Sequence, residues 1–460
     1  MTGQITPIAE DSAGEVAAPR VAVATLGCKL NQYESEAVLG QFVRRGFTAV
    51  APHAEADLLL VDTCTVTDRA DQKARALIRA MIRRNPEAVV VVMGCYSQAA
   101  AEEIARIPGV DYILGNLEKG RAAELVTRLE KQPEPQLWVG RPGSAEDRSL
   151  LALDASFRQT RAWLKIQDGC DVFCSFCIIP FTRGRSRSMD PAEVLAQARR
   201  LLASGHLELV LTGVHMGDFG RDLHPPRSLA WLIHRLLELP GLLRLRLSSI
   251  EPWDISDELL VAMASDPRVC PHLHTALQSG SDPVLAAMRR RIDQRGILDL
   301  YERIQRHLPQ AGLGTDLISG FPGETEAHFA ETLALVERLP LTYLHVFPYS
   351  ERRGTRAASL PGVVPRPLRK ERSRALLELG ARLQAAAHAR VLGREVEILP
   401  ESWGGRTLAG YTPDYLRVEV EGSGGPPGSS PAVRRAPLMG VVPFEDMGDH
   451  LLARPALLPA

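Results

Sequence analysis

Residues 163–188 read WLKIQDGCDVFCSFCIIPFTRGRSRS, with Cys170, Cys174 and Cys177 separated by three residues and then by two. Three thiolates this close on an irregular loop can converge on one inorganic centre, and sulfur ligands select zinc, copper(I) or iron–sulfur clusters. Structural zinc sites usually pair two Cys-x-x-Cys units, a pattern that the wider first gap fits poorly. A tetranuclear cluster on three cysteines keeps one iron without a protein ligand. Such an open iron can hold a small molecule through an amine and a carboxylate.

Upstream, VAVATLG (21–27), ADLLLVDT (56–63) and AVVVVMG (88–94) are strand-like, and amphipathic helical patterns follow each of them. This alternation predicts a parallel sheet with helices on its faces. The three strands end at Cys28, Cys64 and Cys95. Ligands collect beyond the carboxyl ends of parallel strands, so these distant cysteines are placed to meet. Each alone reads as a small buried apolar residue; together they suggest a second three-thiolate cluster. A helix over Leu117–Leu129 closes this unit, and QPEPQLWVGRPGSAEDRSL reads as a linker.

Downstream, AWLKIQ, LELVLTG, LRLRLSS, HLHTALQ, GLGTDLIS and YLHVFPYS recur between helical patterns. Six βα units predict an open, partial barrel with its chemistry at the carboxyl ends of the strands. Gly213, Val214, Gln278, Ser279 and Asp316 stand at or near such ends. Ordinary turn and cap chemistry accounts for each of them singly. His215, His272 and His274 have no assignment, and Cys270 reads as structural. Arg183, Arg185 and Arg187 alternate, so in an extended segment they share one side, and arginine suits phosphate. A second basic run, Arg366, Arg369, Lys370, Arg372 and Arg374, opens a long helix. Beyond Gly393, five short alternating runs predict a small β-barrel of the oligonucleotide-binding kind. Its Trp403, Tyr411 and Tyr415 are either RNA contacts or core.

The net charge of −1 gives no general affinity for nucleic acid. Seven cysteines grouped for ligation favour a reducing compartment. The first twenty residues lack the basic start and apolar run of a signal peptide, and no apolar run reaches membrane-spanning length. A cytoplasmic protein is expected.

The CxxxCxxC spacing with Phe176 before the last cysteine resembles the radical S-adenosylmethionine (SAM) enzymes. With the cysteine-bearing α/β unit upstream and a TRAM-like β-barrel downstream, the chain resembles the radical SAM methylthiotransferases. TLGCKLNQYESE, DTCTVTDRADQKAR, LTGVHMGDFG, LSSIEPWDISDEL, GTDLISGFPGETE, HVFPYSERRGTRAA and GYTPDYLRVEV are most similar to the branch acting on threonylcarbamoyladenosine. ALQSG and RRRID depart from the family's usual wording.

The resemblance implies two [4Fe-4S] clusters. The one on Cys170, Cys174 and Cys177 would generate a 5′-deoxyadenosyl radical that takes hydrogen from C2 of adenosine 37 of tRNA. The one on Cys28, Cys64 and Cys95 would carry the sulfur, methylated by a second SAM. Because a carbon radical must be shielded, both are expected to face one cavity. Phe176, Gly213, Val214, Gln278, Ser279 and Asp316 would contact SAM. Arg183, Arg185, Arg187, Tyr411 and Tyr415 would contact the tRNA anticodon loop. The same likeness implies an electron donor such as flavodoxin or ferredoxin, and a monomer. The expected division is a tail (1–19), an α/β domain (20–132), a linker (133–160), a partial barrel (161–388) and a small β-barrel (389–456). Isopentenyladenosine 37 or a ribosomal-protein aspartate stands as the alternative substrate. An RNA-binding protein with structural metal centres is the alternative outside enzymes.

Overall fold

In the computed structural model the described residues are 18–142, 151, 153, 160–404, 407–422 and 438–456, the side chains of 402–404 excepted. The tail before residue 18, most of the segment 143–159, the glycine-rich loop after 422 and the Trp403 side chain lie outside them.

Six strands form the first sheet: β1 (Arg20–Thr25), β2 (Thr48–Val50), β3 (Leu58–Thr63), β4 (Val89–Gly94), β5 (Tyr112–Leu114) and β6 (Gln136–Trp138). They pair in parallel in the order β2-β1-β3-β4-β5-β6. β3 and β4 are buried along their whole length, as strands covered on both faces must be. Alternate residues feed two cores. Ala22, Leu59, Val61, Val90 and Val92 pack with Ile78 of α2 (Asp68–Arg84) and Ile104 of α3 (Cys95–Ala105). Val21, Leu58, Leu60 and Val91 face Tyr33 and Val38 of α1 (Lys29–Arg44) and merge with the core of the next unit.

Two sequence expectations change here. The stretch read as linker supplies β6, paired with β5 through Gln136 and Tyr112. In place of one helix over Leu117–Leu129 there is a 3-10 turn (Glu118–Arg121) and then the four-residue α4 (Ala122–Leu125). Lys119, within the 3-10 turn, is drawn fully into the core, its Nζ 2.7 Å from Glu34 and 2.9 Å from Asp62.

The central unit begins with β7 (Arg161–Lys165). It continues through the two-residue β8 (Gln167–Asp168), the cysteine loop, α5 (Ile179–Arg183) and β9 (Arg187–Ser188). Then come β10 (Glu208–Thr212), β11 (Arg244–Leu247) with its short continuation β12 (Ser249–Ile250), β13 (His272–Gln278), β14 (Gly312–Ser319) and β15 (Tyr343–Pro348). β7, β10 and β11 pair in parallel, as do β12 to β15. The result is the open six-unit partial barrel that the strand count predicts. Helices α6 (Pro191–Ala203), α7 (Leu229–Leu237), α8 (Asp257–Ala264), α9 (Asp282–Ala287), α10 (Gln294–His307) and α11 (Glu326–Arg338) return the chain between strands.

After α12 (Arg366–Ala389), strands β16 (Val396–Gly404), β17 (Thr407–Tyr411), β18 (Arg417–Glu421), β19 (Met439–Asp446) and β20 (Leu451–Pro455) close a barrel in the order β16-β17-β18-β20-β19. It seats on the amino-terminal ends of the central strands. Arg244 donates to the Tyr411 carbonyl at 3.0 Å and Arg246 to that of Pro413 at 2.8 Å. At Gly312 a Cβ would lie 1.8 Å from the Asp414 carbonyl oxygen, so only glycine permits the approach.

This seat gives half-buried Tyr411 and Tyr415, read as RNA contacts or core, partners within the protein. Their rings stack at 4.8 Å, with the Arg161 guanidinium 4.9 Å from Tyr411 and that of Arg246 5.1 Å from Tyr415. They are packed between the two barrels. Among the described residues no helix is long and apolar enough to cross a membrane.

Candidate active site

Cys28 is the N-cap of α1, Cys64 follows β3, and Cys95 opens α3 directly after β4. Since β1, β3 and β4 are neighbours in the sheet, their ends bring the three thiols together. Gly94 makes the turn into Cys95 at φ +106°, where a Cβ would lie 2.2 Å from Asp62 Oδ1. Asn31 Oδ1 accepts from the Cys28 thiol at 3.4 Å, and Asn116 Nδ2 lies 3.6 Å from Cys95 Sγ.

The second triad is held by its own loop. β8 and β9 pair antiparallel at its base. Cys170 N donates to Gly184 O at 3.1 Å, Cys177 N to Cys174 O at 3.0 Å, and Ser175 N to Met288 O at 3.0 Å. Arg290 Nη1 lies 3.3 Å from Cys174 Sγ, while the same guanidinium pairs with Glu251 and covers the Trp253 ring at 4.5 Å. His215 is buried beside Cys170, its Nε2 2.6 Å from Asp254. Burial opposes its charge, but Asp254 and Cys170 outweigh that and push its pKa up to about 10.

One cavity of about 770 Å³ is lined by Cys28, Cys64, Cys177, Phe176, Gln278 and Asp316, among others. Gln278 holds φ +75°, a conformation uncommon outside glycine. Asp316 Oδ1 lies 3.0 Å from His274 Nε2 and 3.3 Å from His345 Nδ1. Although burial acts the other way, these contacts hold the carboxyl well below the usual carboxylate range.

The donor sets fit iron–sulfur clusters better than single zinc ions. Among the described residues, the only His, Cys, Asp or Glu group whose ligand atoms all lie within 4.8 Å of one another is His274, Asp316 and His345. Neither cysteine triad closes to that distance. Tetrahedral zinc with bonds of about 2.3 Å needs sulfurs about 3.8 Å apart. Burial pushes the free thiols of Cys64 and Cys177 up to about 12, and raises Cys28 and Cys174 as well. Ligation therefore has to come with loss of the thiol protons to solvent as a cation binds.

Other expected residues are placed differently. Gly213 packs against Gln167, and Val214 beside it is half-buried. Ser279 turns away from the cavity and is buried against Thr332 at 3.3 Å. Arg183 does not face solvent. It ends α5, so the alternation of an extended strand does not apply, and it is buried 2.9 Å from Glu34 and 3.2 Å from Asp168. Arg187 also bonds Asp168, at 3.2 Å. Arg185 alone of the three is exposed, paired with Asp171 at 2.8 Å. In the second basic run Arg369 and Arg372 are buried on Glu351 and Glu324, whereas Arg366, Lys370 and Arg374 are exposed.

The sequence reading missed Arg290 and the buried network of Lys119, Glu34, Lys165, Asp168 and Arg183 that ties α1 to the cysteine loop. Their partners lie far off in sequence, as Arg183 and Glu34 do at 149 residues, so no local signal marks them.

Residues 20–115 match the family described as uncharacterized protein family UPF0004, and residues 164–336 match the radical SAM superfamily. The threonylcarbamoyladenosine tRNA methylthiotransferase MtaB of Bacillus subtilis (strain 168) is 38% identical over 88% of this chain and 90% of its own length. Its counterpart in Aquifex aeolicus (strain VF5) is 34% identical over 88% and 97%. The tRNA-2-methylthio-N(6)-dimethylallyladenosine synthase of Moorella thermoacetica is 35% identical over 82% and 86%. Among solved structures, the radical SAM methyltransferase TsrM from Kitasatospora setae, with cobalamin and [4Fe-4S] cluster bound, aligns with a TM-score of 0.54. At 16% identity over 74% of this chain and 77% of that one, the likeness is one of fold. The protein uses SAM and [4Fe-4S] clusters. The chain belongs to the radical SAM tRNA methylthiotransferases.

Proposed function

We propose that this protein converts N6-threonylcarbamoyladenosine at position 37 of tRNA to its 2-methylthio derivative. It works in the cytoplasm as a monomer, with electrons from a flavodoxin or ferredoxin. The motif wording and the names of the relatives in Bacillus and Aquifex support the substrate. The observation that carries the chemistry is the single cavity reached by Cys28, Cys64 and Cys177.

Cys170, Cys174 and Cys177 hold one cluster, and Cys28, Cys64 and Cys95 the other. Bound there, the clusters supply reductive cleavage of SAM at the first triad and the sulfur at the second. Arg290 gives Cys174 a charge-assisted hydrogen bond. Phe176, Gln278 and Asp316 wall the space for SAM, and Gly213 and Val214 directly precede His215, which lies beside Cys170. The buried ion pairs around Glu34 tie the domain of one triad to the loop of the other. Hydrogen-atom abstraction needs no acid–base pair from the chain. Exposed Arg185 is left to meet an RNA phosphate.

Mass spectrometry of tRNA nucleosides from a deletion strain tests this reading. The 2-methylthio-threonylcarbamoyl nucleoside should vanish while its unmethylthiolated precursor accumulates. Its persistence, with loss of the dimethylallyl counterpart instead, would move the protein to the branch of the Moorella relative.

A further inference from the structure

Cys28 stands on the cavity wall, and the next side chain, half-buried Lys29, turns into the polar interior of the partial barrel. Its Nζ lies 5.2 Å from the ring centroid of Trp163 on β7. The charges it feels, Arg161, Arg246, Glu208 and Asp316, stand on β7, β11, β10 and β14. Other cations of this interior are paired. Arg161 meets Glu401, Arg244 meets Glu397 at 2.9 Å, and Arg246 meets Glu208 at 2.7 Å. Lys165 meets Glu34 and Asp168 at 2.8 Å each.

Lys29 has no hydrogen-bond or ion-pair partner among the described residues. Glu208 is taken by Arg246, and Asp316 gives its Oδ1 to His274 and His345. A partly desolvated ammonium without a counter-ion in contact is unfavourable. Asp316, one of the charges acting on Lys29, also lines the cavity, so an anion entering there would relieve it.

We propose that Lys29 is a specificity-determining residue that binds the free carboxylate of the threonylcarbamoyl group. The inference rests on the substrate proposed above. A single ammonium on a flexible stem serves as a point charge for such a group. The same residue acts against a dimethylallyl nucleoside, whose uncharged tail would leave Lys29 partly desolvated and unpaired.

The test compares two anticodon stem-loop RNAs as substrates of the reconstituted holoenzyme. One carries threonylcarbamoyladenosine, and the other carries its methyl ester, which lacks the charge. For the wild type, the ester should raise KM by about ten- to a hundredfold, the range for a hydrogen bond to a charged group. In Lys29→Met, KM for the acid should rise to that of the ester, and Lys29→Arg should recover most of the difference. Equal KM values for acid and ester in the wild type would overturn the proposal, whether or not the variant folds. If the carboxylate bound is that of SAM, Lys29→Met will raise KM for SAM and leave the acid–ester difference intact, which also overturns it. A wild type that modifies neither RNA but modifies a dimethylallyl stem-loop would refute the substrate assignment itself, and Lys29 with it.

Discussion

Cys170, Cys174 and Cys177 occupy one loop and are positioned by bonds inside or beside it. Cys28, Cys64 and Cys95 come from the ends of three adjacent strands and are positioned by the sheet. The loop triad is shaped by local turns, at Gly169 and along the β8–β9 pair, where a Gly169 Cβ would lie 1.9 Å from the Arg185 carbonyl oxygen, with Met288 and Arg290 bracing it from outside. Adjacent strands lie about 4.8 Å apart, so the sheet triad fans across two strand intervals and depends on the whole topology. On the proposed assignment, the cluster that cleaves SAM is built on a loop, and a second one facing it requires a domain and a junction to aim it.

The sharpest way to break this comparison is to remove each triad separately. Replacing Cys170, Cys174 and Cys177 with Ala should lower 5′-deoxyadenosine release by at least about a thousandfold, to background. Replacing Cys28, Cys64 and Cys95 should abolish methylthiolation while SAM cleavage persists. Loss of SAM cleavage in both variants would show that the triads do not work as separate centres.

Next in size is the junction. Arg183→Ala leaves Glu34 and Asp168 short of a buried partner and should cost about 3–5 kcal/mol of stability, read by denaturant unfolding. At the other junction, Gly312→Ala drives a methyl into the Asp414 carbonyl. It should loosen the C-terminal barrel by about 1–3 kcal/mol, visible as faster amide exchange in β16–β20.

The smallest effect is in pH. Burial works against the charge of Glu34 and Asp168, yet Arg183, Lys119, Lys165 and Arg187 between them hold both carboxyls well below the usual range. Their folded values are below the unfolded ones, so the stabilisation is complete above about pH 4. It is lost as pH falls through the folded values. The contribution of these two carboxyls should therefore hold down to about pH 4 and fade below it, and Arg183→Met should shallow that acid loss.

Much of this architecture is legible in the chain. β3 opens on the apolar run LLLV and β4 on VVVVM, and β7, β10, β13, β14 and β15 recur at βα spacing; both patterns arise directly from burial. The loop triad is visible by spacing, and the sheet triad by its position at strand ends. Less visible is β6, which has three residues and two exposed side chains; it owes its place to pairing with β5. The fate of Arg183, Tyr411 and Tyr415 could not be read locally either. An arginine beside a metal loop looks the same whether its partner is a phosphate or a glutamate from another domain. A tyrosine on a β-barrel looks the same whether it meets RNA or Arg161.

The central claim is that the chain carries two separate cluster sites facing one cavity, and iron and sulfide analysis of anaerobically reconstituted protein tests it most directly. The wild type should bind about eight irons and each triple Cys→Ala variant about four, as four-iron clusters require. A wild type holding about four irons, all lost with Cys170, Cys174 and Cys177, would contradict it.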